Sequence, residues 1–371
     1  MRILQVANFV TSTSGGQRVA LDQLARGYRS AGHVCGRLVP GESPSVQLVD
    51  GVHVHVVAGP RLPLSGGYRI AVSRRSVEHA VAEFAPDVIE LSDRTTLAWL
   101  PEWAQEIGIP TVHFTHECVE RVIVDRSALL RLGKPVVRRW RSRVAEHCAA
   151  IVAASRYAAA EFDDFHPLVA VVPLGVDRSV FNPAAAGRPS DDEPYVLFAG
   201  RLSSEKRPDV VLNAVRLLAK QGRPVRLLVA GSGPLQERLE RDSAGLDVRF
   251  LGHVGDRLRL ASLMARASVV AAPSPFETFG LTVAEAMSCG TPVVVADTSG
   301  GAELLAEGCG LAVPPFATDV ARAIDELLHS DLYAARAACV VRSAAFSWDE
   351  SARRMLDVFA RVRASGEVAA A

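Results

Sequence analysis

Apolar residues along this chain fall into two patterns that alternate over nearly its whole length. Short apolar runs of the kind buried in parallel sheets predict strands at 2–7, 33–39, 52–57, 87–91, 110–114 and 150–153. Between them apolar positions recur at helical spacing, as with Val19, Ala20, Leu21, Leu24 and Ala25 in 17–30; further helices are predicted near 69–84, 94–107 and 127–147. The rhythm breaks around VVPLGVDRSVFNP, and 184–194, rich in Ala, Pro, Gly and Asp without periodicity, predicts a linker. A second alternation follows, with strands at 195–200, 225–230, 247–251 and 268–272 and helices at 208–220, 234–242 and 256–265. Helices at 302–307, 317–329, 331–344 and 349–363 close the chain. Such alternation implies the α/β class. Two doubly wound, Rossmann-like domains, 1–183 and 195–348, are expected to face each other across a cleft lined by strand C-termini.

Within the second half, PSPFETFGLTVAEAMSCGTPVVV at 273–295 reads as loop, helix, tight turn and buried strand. Its helix is predicted to begin near Leu281, to stop at Gly290 in a left-handed cap, and to be barred from continuing by Pro292. Glu277 lies in the loop and Glu285 in the helix eight positions later, with the exposed amides of the helix start between them. A carboxylate on either side of an anion-binding helix end suits a ligand that carries both phosphates and hydroxyls.

Composition narrows the classes. The 371 residues exceed what one core usually holds, and Lys plus Arg balance Asp plus Glu at 41 each. No global field favours nucleic acid, so any basic surface must be local. No apolar run approaches the ~18 residues of a membrane span, and MRILQVANFV reads as a first strand rather than a secretory signal. A cytoplasmic protein is expected. The six cysteines are dispersed without a CxxC pair, which predicts reduced, buried thiols. No two aspartates sit two apart, so no obligatory metal is expected.

Strand 195–200 ends in Gly200, and RLSSEKRPD then places Arg201 and Lys206 on a strand-to-helix loop at the sheet edge where ligands bind. A planar fork and a mobile point charge suit a diphosphate; a pair of solvated cations is the plain alternative. Gly15 and Gly16 before the first helix, and Gly231 and Gly233 in VAGSGP, would admit close backbone approach to a phosphate or merely shape turns. His113 and His116 flank the end of strand 110–114, with His116 on the cleft side. Two arginine-rich segments, Arg61–Arg75 (with Leu62, Leu64, Tyr68 and Ile70) and Arg121–Arg143, suit either a solvated surface or the face of an anionic membrane.

These motifs resemble the E-x7-E signature of the retaining glycosyltransferases of family 4, which have the GT-B fold. The resemblance extends to SGG-AEL at 299–304, FAGRLSSEKRPD at 198–209, FLGHV at 250–254 and VVPLGVD at 171–177, and more loosely to SGGQRVALDQLARGYRSAGHV and TVHFTHE. It implies an acceptor-binding N-terminal domain, a C-terminal domain that binds a nucleotide sugar, and a last helix, 349–371, that crosses back to the first domain with Trp348 as its anchor. Arg201 and Lys206 would neutralise the donor diphosphate with amides of Phe279, Gly280 and Leu281. Glu285 would hold the ribose and Glu277 the transferred sugar, while Val254 would lie beside the base. Gly16 would approach the diphosphate from the other domain, and His116 would line the sugar and acceptor side. FAPDVIELSDRTTL followed by THECVER looks similar to actinobacterial α-mannosyltransferases acting on glycolipids, which implies GDP-mannose, a lipid or lipid-linked acceptor, and Asp93, Arg94 and Glu117 near that acceptor.

Retention usually signals double displacement through a carboxylate. The resemblance casts Glu277 as a sugar binder, so front-face attack is expected instead, the leaving phosphate taking the acceptor proton. Alternatives are a UDP-sugar enzyme acting on a soluble small molecule and a nucleotide-binding module without transfer. A nicotinamide dehydrogenase fits poorly, because the dinucleotide fingerprint is missing.

Overall fold

The computed structural model describes residues 1–10, 15–62, 67–115, 134–165, 168–187 and 194–370. The chain forms two compact units, one of residues 1–174 and 348–371, the other of 175–347.

In the first unit, strands β1 (Arg2–Val6), β2 (Val34–Gly41), β3 (Ser45–Val49), β4 (Val52–Ala58), β5 (Val88–Leu91), β6 (Thr111–Thr115), β7 (Ala150–Ala153) and β8 (Val169–Val171) form one sheet ordered β3-β4-β2-β1-β5-β6-β7-β8. All pairs are parallel except β3 with β4. The helices are α1 (Gly16–Ser30), α2 (Arg74–Phe84), α3 (Leu100–Glu106), α4 (Lys134–His147) and the single turn α5 (Arg156–Ala159). β1, β5 and β7 bury nearly every side chain, as strands covered on both faces must.

Pattern reading misses the β3–β4 hairpin, since SVQLV is exposed along almost its whole length and shows no buried face to detect. Its turn places Asp50 and Gly51 at φ +47° and +72°, the left-handed pair that two-residue hairpins require. Two expected helices start late. Ser73 caps α2 through Ser76 N–H, and the preceding Arg69 bridges Arg61 in extended pairing. α3 begins at Leu100 because the Asp93 carboxylate accepts Thr95 and Leu97 N–H (2.9 and 3.0 Å) and holds 93–97 as a loop.

The second unit holds β9 (Tyr195–Ala199), β10 (Arg226–Ala230), β11 (Val248–Gly252), β12 (Val269–Ala272), β13 (Val293–Ala296) and β14 (Gly310–Val313), all parallel, ordered β11-β10-β9-β12-β13-β14. Its helices are α6 (Pro208–Lys220), α7 (Gln236–Asp242), α8 (Arg257–Arg266), α9 (Leu281–Ser288), α10 (Ala317–His329) and α11 (Leu332–Ser343). Gly290 adopts φ +79° just after α9, as its stop signal predicts. The helix expected at 302–307 is a 3-10 turn at Gly300–Leu304.

The boundary falls at Leu174/Gly175, ahead of the expected 183. Residues after Gly175 are fastened to the second unit: Asp177 pairs with Arg257 at 3.2 Å, Ser288 Oγ donates to Phe181 O at 2.6 Å, and Arg266 donates to Ala186 O at 2.9 Å. The start of the expected linker, 184–186, thus belongs to a 3-10 turn, Pro183–Ala186, on this unit, and 188–193 lies outside the described residues.

The last helix, α12 (Trp348–Ala370), returns to the first unit, as the sequence implies. It lies so close to α1 that a Cβ on Gly27 would fall 2.4 Å from Ala352 Cβ. Phe359 meets Tyr28 edge to face at 5.6 Å, and Ser351 Oγ donates to Pro173 O at 2.7 Å. Trp348 is buried.

Below that contact Tyr28 donates to Glu90, a fully buried carboxyl in β5, at 2.8 Å. Gln5 adds a 3.3 Å contact and in turn accepts from Arg37. Burial pushes the Glu90 carboxyl up to about 7 despite these donors. The folded state therefore holds the proton more tightly than the unfolded chain. Stability should be greatest below the ordinary carboxylate range and decline as pH rises through about 7, by up to ~3 kcal/mol. Urea unfolding between these limits should show that slope in the wild type and a flatter profile in Glu90→Gln.

Candidate active site

Strand order reverses in the second unit between β9 and β12, which pair through Val269 with Val196 and Val270 with Leu197. The loops that follow these two strands must diverge from the C-terminal edge at that point, where open α/β sheets leave a crevice. Both stretches singled out by the sequence lie there: Gly200–Arg207 after β9 and Pro273–Gly280 after β12.

The first loop is pinned to its neighbour from β10. Gly200 N–H donates to Ala230 O at 2.9 Å and Leu202 N–H to Ser232 O at 3.0 Å. That contact is tight enough to dictate Gly231, whose φ is +153° and whose added Cβ would stand 1.8 Å from Gly200 O. The sequence suggests that Gly231 approaches a donor; the approach it permits here is to its own fold. Lys206 ends a 3-10 turn, Arg207 follows at φ +55°, and Pro208 opens α6 at the position where a missing N–H costs nothing.

The second loop is fastened to the first. Ser274 Oγ donates to Glu205 O at 2.7 Å, and Glu277 O accepts Gly300 N–H at 2.7 Å. Phe279 is buried and meets Phe346 edge to face at 5.8 Å. Gly280, at φ +94°, then turns the chain into α9. The N–H groups of Gly280 and Leu281 are among those that a helix start leaves unpaired, and neither donates to a described backbone carbonyl. This arrangement sets Lys206 and Glu277 against each other as an ion pair, both half-buried. Arg201 is exposed on the same loop as Lys206.

Glu285 lies one turn into α9, half-buried, and its carboxyl takes no hydrogen bond from a described residue. Desolvation pushes it up to about 7, against the pull of Arg257, while Asp177 adds to the rise. Arg257 itself is held by Asp177 at 3.2 Å and lies 5.3 Å from the Phe181 ring centroid. Sequence reading passes over this pair: Asp177 closes the VVPLGVD motif and Arg257 starts a helix, and nothing local joins them. Val254 lies half-buried in the loop after β11. That loop is tied to β10's by Gly231 N–H donating to Gly252 O at 2.8 Å, and Asp256 then caps α8 through Leu258 N–H.

In the first unit the order reverses between β1 and β5. Gly16 is exposed at the start of α1, on the C-terminal edge of that sheet. Asn8, Thr96 and Gln17, none of them singled out as a site residue by the sequence, organise the same edge. Asn8 Nδ2 donates to Thr96 Oγ1 at 2.8 Å, its Oδ1 accepts Ala71 N–H at 2.9 Å, and Gln17 donates to Ser92 O at 3.3 Å. Asp93 and Arg94 are buried, Asp93 accepting the amides of its own loop and Arg94 meeting Glu161 at 3.0 Å. His113 is also buried, at 3.0 Å from Leu91 O. His116, Glu117 and the arginines from 121 to 133 lie outside the described residues.

Comparison with known proteins bears on both halves. Residues 184–343 match the family described as glycosyl transferases group 1, and 14–180 match glycosyltransferase family 4. A GDP-mannose-dependent alpha-(1-6)-phosphatidylinositol dimannoside mannosyltransferase of Mycobacterium tuberculosis is 35% identical over 96% of this chain and 95% of its own. A D-inositol 3-phosphate glycosyltransferase of Jonesia denitrificans is 30% identical over 96% and 94%. Among solved structures, sucrose-phosphate synthase from Thermosynechococcus elongatus superposes with a TM-score of 0.78 at 21% identity, covering 98% of this chain and 99% of that one. HepE from Anabaena, in complex with UDP and glucose, gives 0.74 at 20% identity over 97% and 99%. The two Rossmann-like units are therefore those of the GT-B fold, and with sequence identity running the length of both, the chain belongs to glycosyltransferase family 4.

Proposed function

We propose that this glycosyltransferase moves mannose from GDP-mannose to a hydroxyl of a lipid or lipid-linked acceptor, with retention of configuration and at a cytoplasmic membrane face. The observation that carries donor and acceptor is the 35% identity, over 96% of the chain, to a relative whose name specifies both. Asp93 and Arg94 are left out of the acceptor site, and His116 and Glu117, outside the described residues, are assigned to sugar and acceptor.

Lys206 and Glu277 supply the chemistry. As an ion pair each compensates the other; a diphosphate arriving beside Lys206 competes with the carboxylate and frees it to accept hydroxyls of the transferred sugar. Arg201, Lys206 and the amides of Phe279, Gly280 and Leu281 then face the oxygen on which charge grows as the glycosyl–phosphate bond breaks. The acceptor oxygen attacks the anomeric carbon on the face the diphosphate leaves, and the departing phosphate oxygen takes the acceptor proton. Val254 offers its backbone to the base, and Glu285 takes the ribose hydroxyls, the hydrogen bonds its carboxyl lacks among described residues. Cations and amides suffice for the diphosphate, so no divalent ion is invoked.

Lys206→Ala and Arg201→Ala should each lower kcat by roughly 100-fold with unfolding midpoints unchanged, as loss of a leaving-group donor does. Glu277→Ala should abolish transfer, and mass spectrometry during turnover should find no mannosyl adduct on Glu277; such an adduct would overturn front-face attack.

An ionised Glu285 accepts two ribose hydroxyls better than a protonated one. GDP-mannose, whose diphosphate is esterified at both ends, should bind more tightly as pH rises through about 7. Calorimetric titration should show that trend in the wild type and lose it in Glu285→Gln.

Screening nucleotide sugars by thermal shift and hydrolysis, with and without EDTA, tests the donor. GDP-mannose should stabilise and turn over in both conditions. Stabilisation by UDP sugars alone would transfer the reading to a UDP-hexose enzyme, and binding without any turnover to a nucleotide-binding module.

A further inference from the structure

Glu285 takes no hydrogen bond from a described residue although an arginine lies close by. α8 and α9 run side by side in the same direction, each leading into one of the paired parallel strands β12 and β13. Their register is fixed near their C-terminal ends, where Cys289 Sγ donates to Ala261 O at 3.6 Å and Thr291 Oγ1 to Met264 O at 2.6 Å. One turn back along each helix from Cys289 and Ala261 stand Glu285 and Arg257. An arginine is long enough to bridge helices that pack at about 8–10 Å, so Arg257 is placed to take Glu285 as its partner.

A third segment holds it back. Asp177 Oδ2 meets Arg257 at 3.2 Å, while Asp177 Oδ1 accepts Ser179 Oγ at 2.5 Å and Ser179 N–H at 3.2 Å, so both carboxylate oxygens are committed. Phe181 is buried, with its ring centroid 5.3 Å from the Arg257 guanidinium. Its carbonyl accepts Ser288 Oγ at 2.6 Å, one turn after Glu285 on α9. The segment from Asp177 to Phe181 thus touches both helices and fixes where the guanidinium sits. Were Arg257 paired with Glu285, ribose hydroxyls would have to displace a charge-assisted hydrogen bond. Pinned to Asp177, the arginine leaves the Glu285 oxygens open. The two residues still reach Glu285 through space: burial raises its carboxyl most, Arg257 opposes that rise and Asp177 adds to it.

We propose that Asp177 and Arg257 are positioning residues for Glu285: Asp177, itself fixed by Ser179, holds the guanidinium beside the carboxylate without letting it take the oxygens that receive the ribose. This role rests on the assignment of Glu285 to the ribose hydroxyls.

Calorimetric titration with GDP and with 2′,3′-dideoxy-GDP, buffered above the Glu285 pKa of about 7, tests this. The ratio of the two affinities reports the ribose hydroxyls alone. Wild-type protein should prefer GDP by about 30-fold and Glu285→Gln by only about threefold. Asp177→Asn keeps the side chain's size but releases Arg257 to Glu285, and its preference should also fall to about threefold. Removing the arginine as well, in Asp177→Asn/Arg257→Gln, should return the preference to about tenfold, a repair that damage to the fold would not allow. With the ratio low in Glu285→Gln, a wild-type ratio in Asp177→Asn, or a double variant no better than Asp177→Asn, sinks the role of the pair and keeps the ribose reading. A wild-type ratio in Glu285→Gln removes the ribose reading and the role of the pair together.

Discussion

Parallel pairing of β9 with β12 is the constraint on which the second unit depends. These strands are neighbours in space but separated in sequence by two further strands and three helices, so the loops that leave their C-terminal ends are distant in the chain and adjacent in the fold. Adjacency alone would leave them to splay. Ser274 to Glu205, Gly300 to Glu277, and the contact of Gly231 with Gly200 instead lock four loops into one rigid edge. Lys206 and Glu277 inherit their proximity from that edge, and a glycine at 231 is the steric condition for it.

Electrostatics on this edge follows the same economy. Two of its cations are matched, Lys206 by Glu277 and Arg257 by Asp177, and Arg201 is exposed. Glu285 is the carboxyl that the fold desolvates without giving it a hydrogen-bond donor among the described residues, which is why its proton is held so firmly. A group in that condition gains from any ligand hydroxyl placed near it, whereas a fully satisfied carboxylate such as Asp93 gains nothing.

Much of this was legible in the residues. The alternation of apolar runs and helical spacing gave both sheets, and Gly280, Gly290 and Pro292 bounded α9 because their backbone preferences act locally. Three kinds of feature escaped. The exposed β3 carries no buried face, so periodicity is silent about it. The boundary at 174 depends on Asp177 and Ser288 reaching partners 80 and 107 positions away, and composition marks only where the chain looks loose. Asp93 and Arg94 follow a strand end, where ligand contacts are common, and only their burial and partners reveal that they hold a loop and an ion pair.

The return of α12 to the first unit has a consequence for how the chain comes into being. A ribosome releases residues 1–174 long before 348–370, so the α1 surface around Gly27 and Tyr28 emerges without its cover while all of the second unit is still to be made. The second unit is contiguous and can close as soon as its last strand and helices appear, whereas the first must wait for the final helix. The order of completion is thus the reverse of the order of synthesis, and the buried ring of Phe359 is among the last core pieces to be seated.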